Sequence, residues 1–462
     1  MLIYILVVFF ASILVVSFFS FKKDIIHPCI IFNIMFLAST LCALYNIKKW
    51  NINIHINTFF TLLIMSLLFN IISLAVQKYF ETSKQKEKGN LRERLNNPVI
   101  ETKKIKLFIA IIFNVLYIIG IIYFVKKIAS DFGDFKSYSE ALNIFKANTI
   151  YKANAQLPKI ITLSTKLVIG FAYVYMFIGI YNFINSSENK SRKILNLVFY
   201  LMPAVLYSIS LLLQSSRGTI LRLIVSGIVI FIILWYKKYN YKNMINFKYI
   251  FIICISISLI FIAFYAVSGL IGRNTLNNNI IEYLTMYGGG SIQLFDIYLQ
   301  EPHKNDEIIG RETFWGTYRF LDDYNIIELE EKPTGSLEWR KSNGYSIGNV
   351  YTAYRRWIQD FGFVGGAIVL VVVCIFYNSY YNILKYLKKE DDLFNISLIF
   401  FAYMYYHLIL ISIDCRIFDE IIPASLSQFT VAIVVYYYSV KSNVIIHIKN
   451  KIEKIKELKG EK

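Results

Sequence analysis

The sequence predicts an all-α polytopic integral membrane protein with about eleven transmembrane helices. The N-terminus is expected outside and the C-terminus in the cytoplasm. Three observations carry this. The 462 residues are 56% hydrophobic and only 17% charged, with a mean hydropathy of +0.49. The apolar residues gather in blocks of about 20, the length that spans a hydrocarbon core as a helix. Lys and Arg are segregated between alternate seams, as the positive-inside rule demands.

The blocks fall at 2–21, 25–45, 58–77, 106–125, 160–184, 194–213, 220–236, 249–271, 363–384, 394–413 and 421–440. None alternates apolar and polar residues, so a barrel is excluded. The first block lacks a basic leader and a small-residue cleavage site, and reads as a retained helix. Residues 1–462 thus read as a single transmembrane domain.

Orientation follows from the seams. One set holds 28 Lys and Arg with 12 Asp and Glu, and includes a basic tail at 441–462. The short seams of the other set hold only Lys48, Lys49, Arg217 and Arg416. The first set is read as cytoplasmic. It carries +16 of the net +18, so insertion and anionic lipid explain the basic charge and no nucleic-acid partner is needed. Four of the five cysteines lie in apolar blocks and no C-x-x-C pair exists, so neither a disulfide framework nor a zinc site is supported.

Two outside loops are long. Residues 126–159 have amphipathic helical patterning. Residues 272–362 are too many for a structureless connection and are expected to form short helices on the membrane surface. Up to residue 361 this loop holds nine basic and thirteen acidic residues.

Four constellations carry candidate chemistry. In NGYSIGNVYTAYRRWIQDFGFVGG (343–366), Trp357 reads as an interfacial anchor and Gly362, Gly365 and Gly366 as packing positions. Arg355 and Arg356 lie on the side that insertion bias disfavours, and a guanidinium fork suits phosphate. Arg356 and Asp360, four apart on a helix, are expected to pair. In QSSRGTILR (214–222), Arg217 sits in a turn and Arg222 inside a block, where a charge costs roughly 2.5–3.5 kcal/mol. In YMYYHLILISIDCRIFDE (403–420), His407 lies below a turn crowded by Asp414, Arg416, Asp419 and Glu420. In TMYGGGSIQLFDIYL (285–299), three glycines allow close backbone approach or a bend between surface helices. They form no Walker loop, because no G-K-[ST] follows. Asp360, His407 and Asp414 are candidate general bases. Tyr345, Tyr351 and Tyr354 are candidate platforms for sugar rings. No metal cluster, nucleotide fingerprint or serine-hydrolase elbow is present.

The order of these motifs is many spans, S-R-G at 216–218, Y-G-G-G at 287–290, a large outside loop, then N-x-Y-T-x-Y-R-R at 349–356 and D-F-G-x-x-G-G at 360–366. It resembles the O-antigen and capsular polysaccharide repeat-unit polymerases, the Wzy-type family. The resemblance implies a metal-independent glycosyltransferase without cofactor at the outer face of the bacterial cytoplasmic membrane. Its substrates would be undecaprenyl-diphosphate-linked oligosaccharides as donor and acceptor. It also implies a chain-length regulator as partner. The matching diphosphate-binding positions are Arg217, Arg355 and Arg356; Arg222 enters from its own placement. A flippase or transporter for lipid-linked oligosaccharide, a glycan ligase and a non-catalytic export scaffold remain alternatives.

Overall fold

The computed structural model describes residues 1–85, 99–151, 155–214, 216–241, 280–301, 308–329, 335–387 and 391–440. The expected span at 249–271, Arg273 and the tail at 441–462 lie outside these residues.

The described chain is helical almost throughout, because a long apolar run satisfies its own backbone only as a helix. The helices are α1 (Leu2–Ser20), α2 (Pro28–Tyr45), α3 (Ile56–Gln85), α4 (Lys104–Ser130), α5 (Tyr138–Lys146), α6 (Lys159–Asn185), α7 (Lys190–Leu213), α8 (Arg217–Lys238), α9 (Ile280–Gln300), α10 (Trp315–Asp323), α11 (Ala353–Tyr386), α12 (Asp392–Ile409) and α13 (Pro423–Ser439). Among the described residues, nine are long and apolar enough to cross a membrane. They match the expected spans one to seven, nine and ten. The eleventh corresponds to α13, which has 17 residues and is about 25 Å long.

Boundary shifts have local causes. α2 begins at Pro28 because His27 Nδ1 accepts from the Cys29 amide at 3.3 Å and proline sits at the first helical position, where it has no needed N–H to lose. α11 is two helices in one. Gly362 (φ 67°, ψ −177°) breaks it in a region essentially reserved for glycine. Residues 353–361 form a short first segment and 363–386 the long apolar one, as the expected start at 363 anticipated. In the first long loop, α5 is opened by an N-cap: Ser137 Oγ accepts from the Glu140 amide at 3.2 Å, and Glu140 Oε2 accepts from the Lys136 amide just before it at 2.7 Å.

Packing is inverted relative to a water-soluble protein. Val8, Val15 and Phe19 on α1, Ile105, Ile112 and Ile119 on α4, and Val364, Ile368 and Val372 on α11 are exposed. Contiguous apolar faces of this extent suit lipid. The interior carries polar ties between helices. Asn33 donates to Ser17 and to Asn70 at 2.9 Å each, and Asn378 to Ser73 at 3.0 Å. Such hydrogen bonds replace the hydrophobic drive that lipid removes.

The seams sort to two ends. At the basic end, Lys22 meets Glu81 at 2.7 Å, Asn182 takes the Ile100 amide at 2.8 Å, and Lys237 reaches the Lys385 carbonyl at 2.9 Å. At the opposite end, residues 308–329 and 335–352 form a cap over the helix ends. The cap contains α10 and a hairpin of β1 (Arg340–Ser342) and β2 (Tyr345–Gly348). Its Asn343–Gly344 turn has positive φ at both positions, 50° and 78°, as a type I′ turn requires. Ser342 Oγ donates to the Trp50 carbonyl at 2.7 Å, and the Ala353 amide to the Ile411 carbonyl at 3.0 Å.

Of the two roles open to the glycine triplet, the bend does not occur. Gly288, Gly289 and Gly290 lie inside α9, a continuous 21-residue helix packed on α2 rather than a short surface piece. Close approach is what they provide. A Cβ on Gly289 would sit 2.3 Å from the Ala43 nitrogen.

Candidate functional site

The inner part of the site is built from α8, α12 and the turn after it. Arg217 opens α8, and its Nη1 reaches the Tyr283 hydroxyl on α9 at 3.3 Å. The next residue, Gly218, leaves room for Tyr406: a Cβ there would lie 3.2 Å from the Tyr406 hydroxyl. Arg222, more than a turn deeper, donates from Nη1 to Glu420 Oε1 at 2.6 Å and to the Tyr403 hydroxyl. Its guanidinium carbon stands 4.6 Å from the Tyr403 ring centre and 5.1 Å from that of Tyr406, a cation–π box. Glu420 Oε1 also meets His407 Nε2 at 3.0 Å. Burial pushes the Glu420 carboxyl up, but the His407 hydrogen bond and the Arg222 charge outweigh it and hold it below the ordinary range. Glu420 is therefore a carboxylate, which assigns the His407 proton to Nε2.

The outer part joins that turn to the cap. Arg416 Nε donates to Asp414 Oδ2 at 2.8 Å, and Arg356 Nε stands 3.7 Å from Asp414 Oδ1. Both arginines also donate through Nη2 to the Gly335 carbonyl, each at 2.7 Å. Trp315 Nε1 donates to Asp419 Oδ2 at 2.9 Å. Burial raises the Asp419 carboxyl to about 6, against the pull of Arg416 and Arg356.

The structure thus brings Arg217, Arg222, Arg356, His407 and Asp414 to one end of the bundle, with Arg416, Asp419 and Glu420 between them. It does not pair Arg356 with Asp360. Asp360 takes the amides of Glu312 and Thr313 at 3.2 and 2.6 Å, because two backbone donors of the cap face it and Arg356 turns toward Asp414. Arg355 is fully buried. Its Nη1 meets Glu312 at 2.6 Å, its Nη2 meets Glu338 at 3.0 Å, and the Tyr298 ring lies 4.1 Å from its guanidinium carbon. Two carboxylates already neutralise it, so Arg355 is a fastener between cap and α11, and a phosphate would have to displace one of them. Burial leaves Glu312 above the ordinary carboxyl range despite Arg355.

The three candidate tyrosines divide. Tyr345 is 47% exposed, with the Lys49 ammonium 5.0 Å from its ring centre. Tyr351 and Tyr354 are buried. Tyr351 donates to the Glu338 carbonyl at 3.1 Å, and Tyr354 packs against Phe36 with centroids 5.4 Å apart. Protein covers both rings, so neither offers a face to a sugar.

Sequence reasoning passed over one pair. Asp296, 2% exposed on α9, accepts from the His55 amide at 2.9 Å and meets His55 Nδ1 at 2.9 Å, leaving His55 half exposed at the head of α3. The two lie 241 positions apart, and no local pattern joins them. Among the described residues, no group of three or more His, Cys, Asp or Glu is placed to hold a metal. Comparison of the chain with protein-family models, with curated proteins and with solved structures finds no match.

Proposed function

We propose that this protein polymerises isoprenoid-diphosphate-linked oligosaccharide repeat units at the outer face of a cytoplasmic membrane. The observation that supports it is the placement of Arg222 and Arg416 beside Tyr406, with Arg217 at the start of α8 next to Gly218, which packs on the Tyr406 hydroxyl, all at one end of an apolar bundle. The bias of Lys and Arg toward the other end favours the cap end as the outer one. The resemblance to the Wzy-type polymerases points the same way.

In the reaction, the bond between the donor's anomeric carbon and its diphosphate oxygen breaks, and the acceptor hydroxyl forms the new glycosidic bond. Charge grows on the departing diphosphate, where fixed guanidinium groups lower the barrier. The hydroxyl proton passes to a base. Asp360 is engaged by two amides, Asp414 by two guanidinium groups, and the protonated nitrogen of His407 by Glu420. Asp419, whose carboxyl titrates at about 6, is ionised at neutral pH and adjoins Arg416. Its Oδ2 accepts from Trp315, and it joins Asp360, Asp414 and the unprotonated Nδ1 of His407 as a candidate base.

The test is elongation of purified lipid-linked repeat unit in membranes carrying Arg217→Ala or Arg222→Ala. Loss of one transition-state contact of this kind costs about 10²–10³ in rate, leaving single repeats in place of a ladder. Wild-type ladders from both variants would overturn the reading. Translocation without elongation by the native protein supports a transporter, and transfer onto a different acceptor supports a ligase.

A further inference from the structure

Lys166 stands inside an apolar helix, where a charge is costly unless a partner or ligand meets it. It lies about two turns into α6, whose first residue is Lys159. Its ammonium donates to the Ser427 hydroxyl on α13 at 2.6 Å, and no carboxylate pairs with it among the described residues.

Simple snorkelling toward lipid headgroups would turn this side chain to the outside of the bundle. Its helix face points inward instead. Gly170, four residues on, packs against Val435 of α13, where a Cβ would meet Val435 Cγ2 at 3.0 Å. Tyr173, seven residues on, lies 5.3 Å from the Tyr403 ring. Residues spaced four and seven share one face, so Lys166 faces the α12–α13 side. The first turns of α13 then link it to the arginine site. Ser427 takes Lys166, and the adjacent Gln428 donates to the Tyr403 hydroxyl at 3.1 Å, which also receives Arg222. Ser425 Oγ donates to the Asp419 carbonyl at 2.9 Å. Lys166 is therefore a cation at the seam of α6 and α13, on the flank of the site rather than within its carboxylate network.

We propose that Lys166 contacts the diphosphate of a lipid-linked substrate and admits it sideways from the bilayer across the first turns of α6 and α13, beyond the close packing of Gly170 on Val435, to the site of Arg217 and Arg222. This rests on the polymerase reading and adds to it the route of the donor. A compact ammonium on a flexible stem can hand a diphosphate on. The carboxylate-bound guanidinium of Arg222 is fixed.

The experiment measures binding of geranylgeranyl diphosphate, inorganic pyrophosphate and phosphatidylglycerol to the full-length protein in nanodiscs. The variants are Lys166→Gln, Lys166→Arg and Arg217→Gln, with melting temperatures as the check on folding. Losing one charge-assisted contact should weaken geranylgeranyl diphosphate about tenfold in Lys166→Gln, while Lys166→Arg keeps it and pyrophosphate is little changed. An equal loss for pyrophosphate places the ligand in solution and overturns the lateral route. An equal loss for phosphatidylglycerol makes this a general lipid contact and overturns it too. If Lys166→Gln binds normally while Arg217→Gln is weakened, this inference fails and the polymerase reading survives. If neither variant is weakened, both fail.

Discussion

Replacing Gly289 by alanine tests the packing that holds the cap end to the bundle. The added Cβ would sit 2.3 Å from the Ala43 nitrogen and 2.5 Å from the Cys42 carbonyl carbon, where ordinary contact begins at 3.4 Å. Both atoms are backbone, so no rotamer change relieves the clash, and α9 must move off α2 by about 1 Å. Overpacking of this kind costs about 1–3 kcal/mol, and the gap forfeits dispersion along the seam. Against this stands a helix-propensity gain of about 1 kcal/mol for alanine over glycine. The neighbours are internal controls. A Cβ on Gly288 comes closest to Cys42 Sγ at 3.0 Å, and one on Gly290 to Ile347 Cγ2 at 2.7 Å, and both nearest atoms belong to side chains rather than to backbone. The expected order is Gly289→Ala destabilised by about 2 kcal/mol, the upper cost less the propensity gain, Gly290→Ala less, and Gly288→Ala near neutral or better. Thermal or denaturant unfolding of the three purified variants in one detergent reads it. A Gly289→Ala protein as stable as Gly288→Ala would refute the close backbone contact.

Three further outcomes follow from named contacts. Arg355→Met strands Glu312 and Glu338 without their cation and should cost about 3–5 kcal/mol; adding Glu312→Gln and Glu338→Gln should restore part of it in the same unfolding assay. The Asp419 carboxyl is raised from 3.8 to about 6. The folded state therefore holds that proton more tightly than the unfolded chain, a contribution present below about pH 4 and lost as pH rises to about 6. Melting temperatures of wild type and Asp419→Asn, taken across that window, should converge toward the acid side, and parallel curves would remove the shift. Gly362→Ala forces a side chain into the glycine region and should cost about 1–3 kcal/mol; an unstrained variant would mean that α11 straightens there.

The helical architecture was legible because apolar block length is a one-dimensional property. The spans at 363–384 and 106–125 needed nothing but composition to be placed. The break before the first of these was not read: the start at 363 was placed, but Gly362 was taken as a packing position, and with nothing within 4 Å of a Cβ there it breaks the helix instead. The glycine triplet was legible only by half. Three consecutive glycines permit either a bend or a close contact, and the choice depends on Cys42 and Ala43, more than two hundred positions away. The site was less legible still. Its partners, Arg222 with Glu420 and His55 with Asp296, are joined by folding alone. The crowding of Asp414, Arg416, Asp419 and Glu420 into one turn was visible, but crowding does not say which acid each arginine takes.

Arg355 and Arg356 make the reason concrete. They are neighbours in sequence and read as one basic feature. On a helix, successive residues point about 100° apart, so the two guanidinium groups leave the axis in different directions and meet different chemistry. Arg355 turns into Glu312, Glu338 and Tyr298 and is wholly enclosed. Arg356 turns to Gly335 and Asp414, and through them to Arg416 and Asp419. One residue therefore fixes the cap to the first segment of α11 and the other reaches the edge of the arginine site. Because Gly362 interrupts the helix just beyond them, both belong to the segment tied to the cap rather than to the apolar stretch from 363 onward. The pair thus ties the position of the cap to the acids of the 414–420 turn, Arg355 holding the cap through Glu312 and Glu338 and Arg356 reaching Asp414.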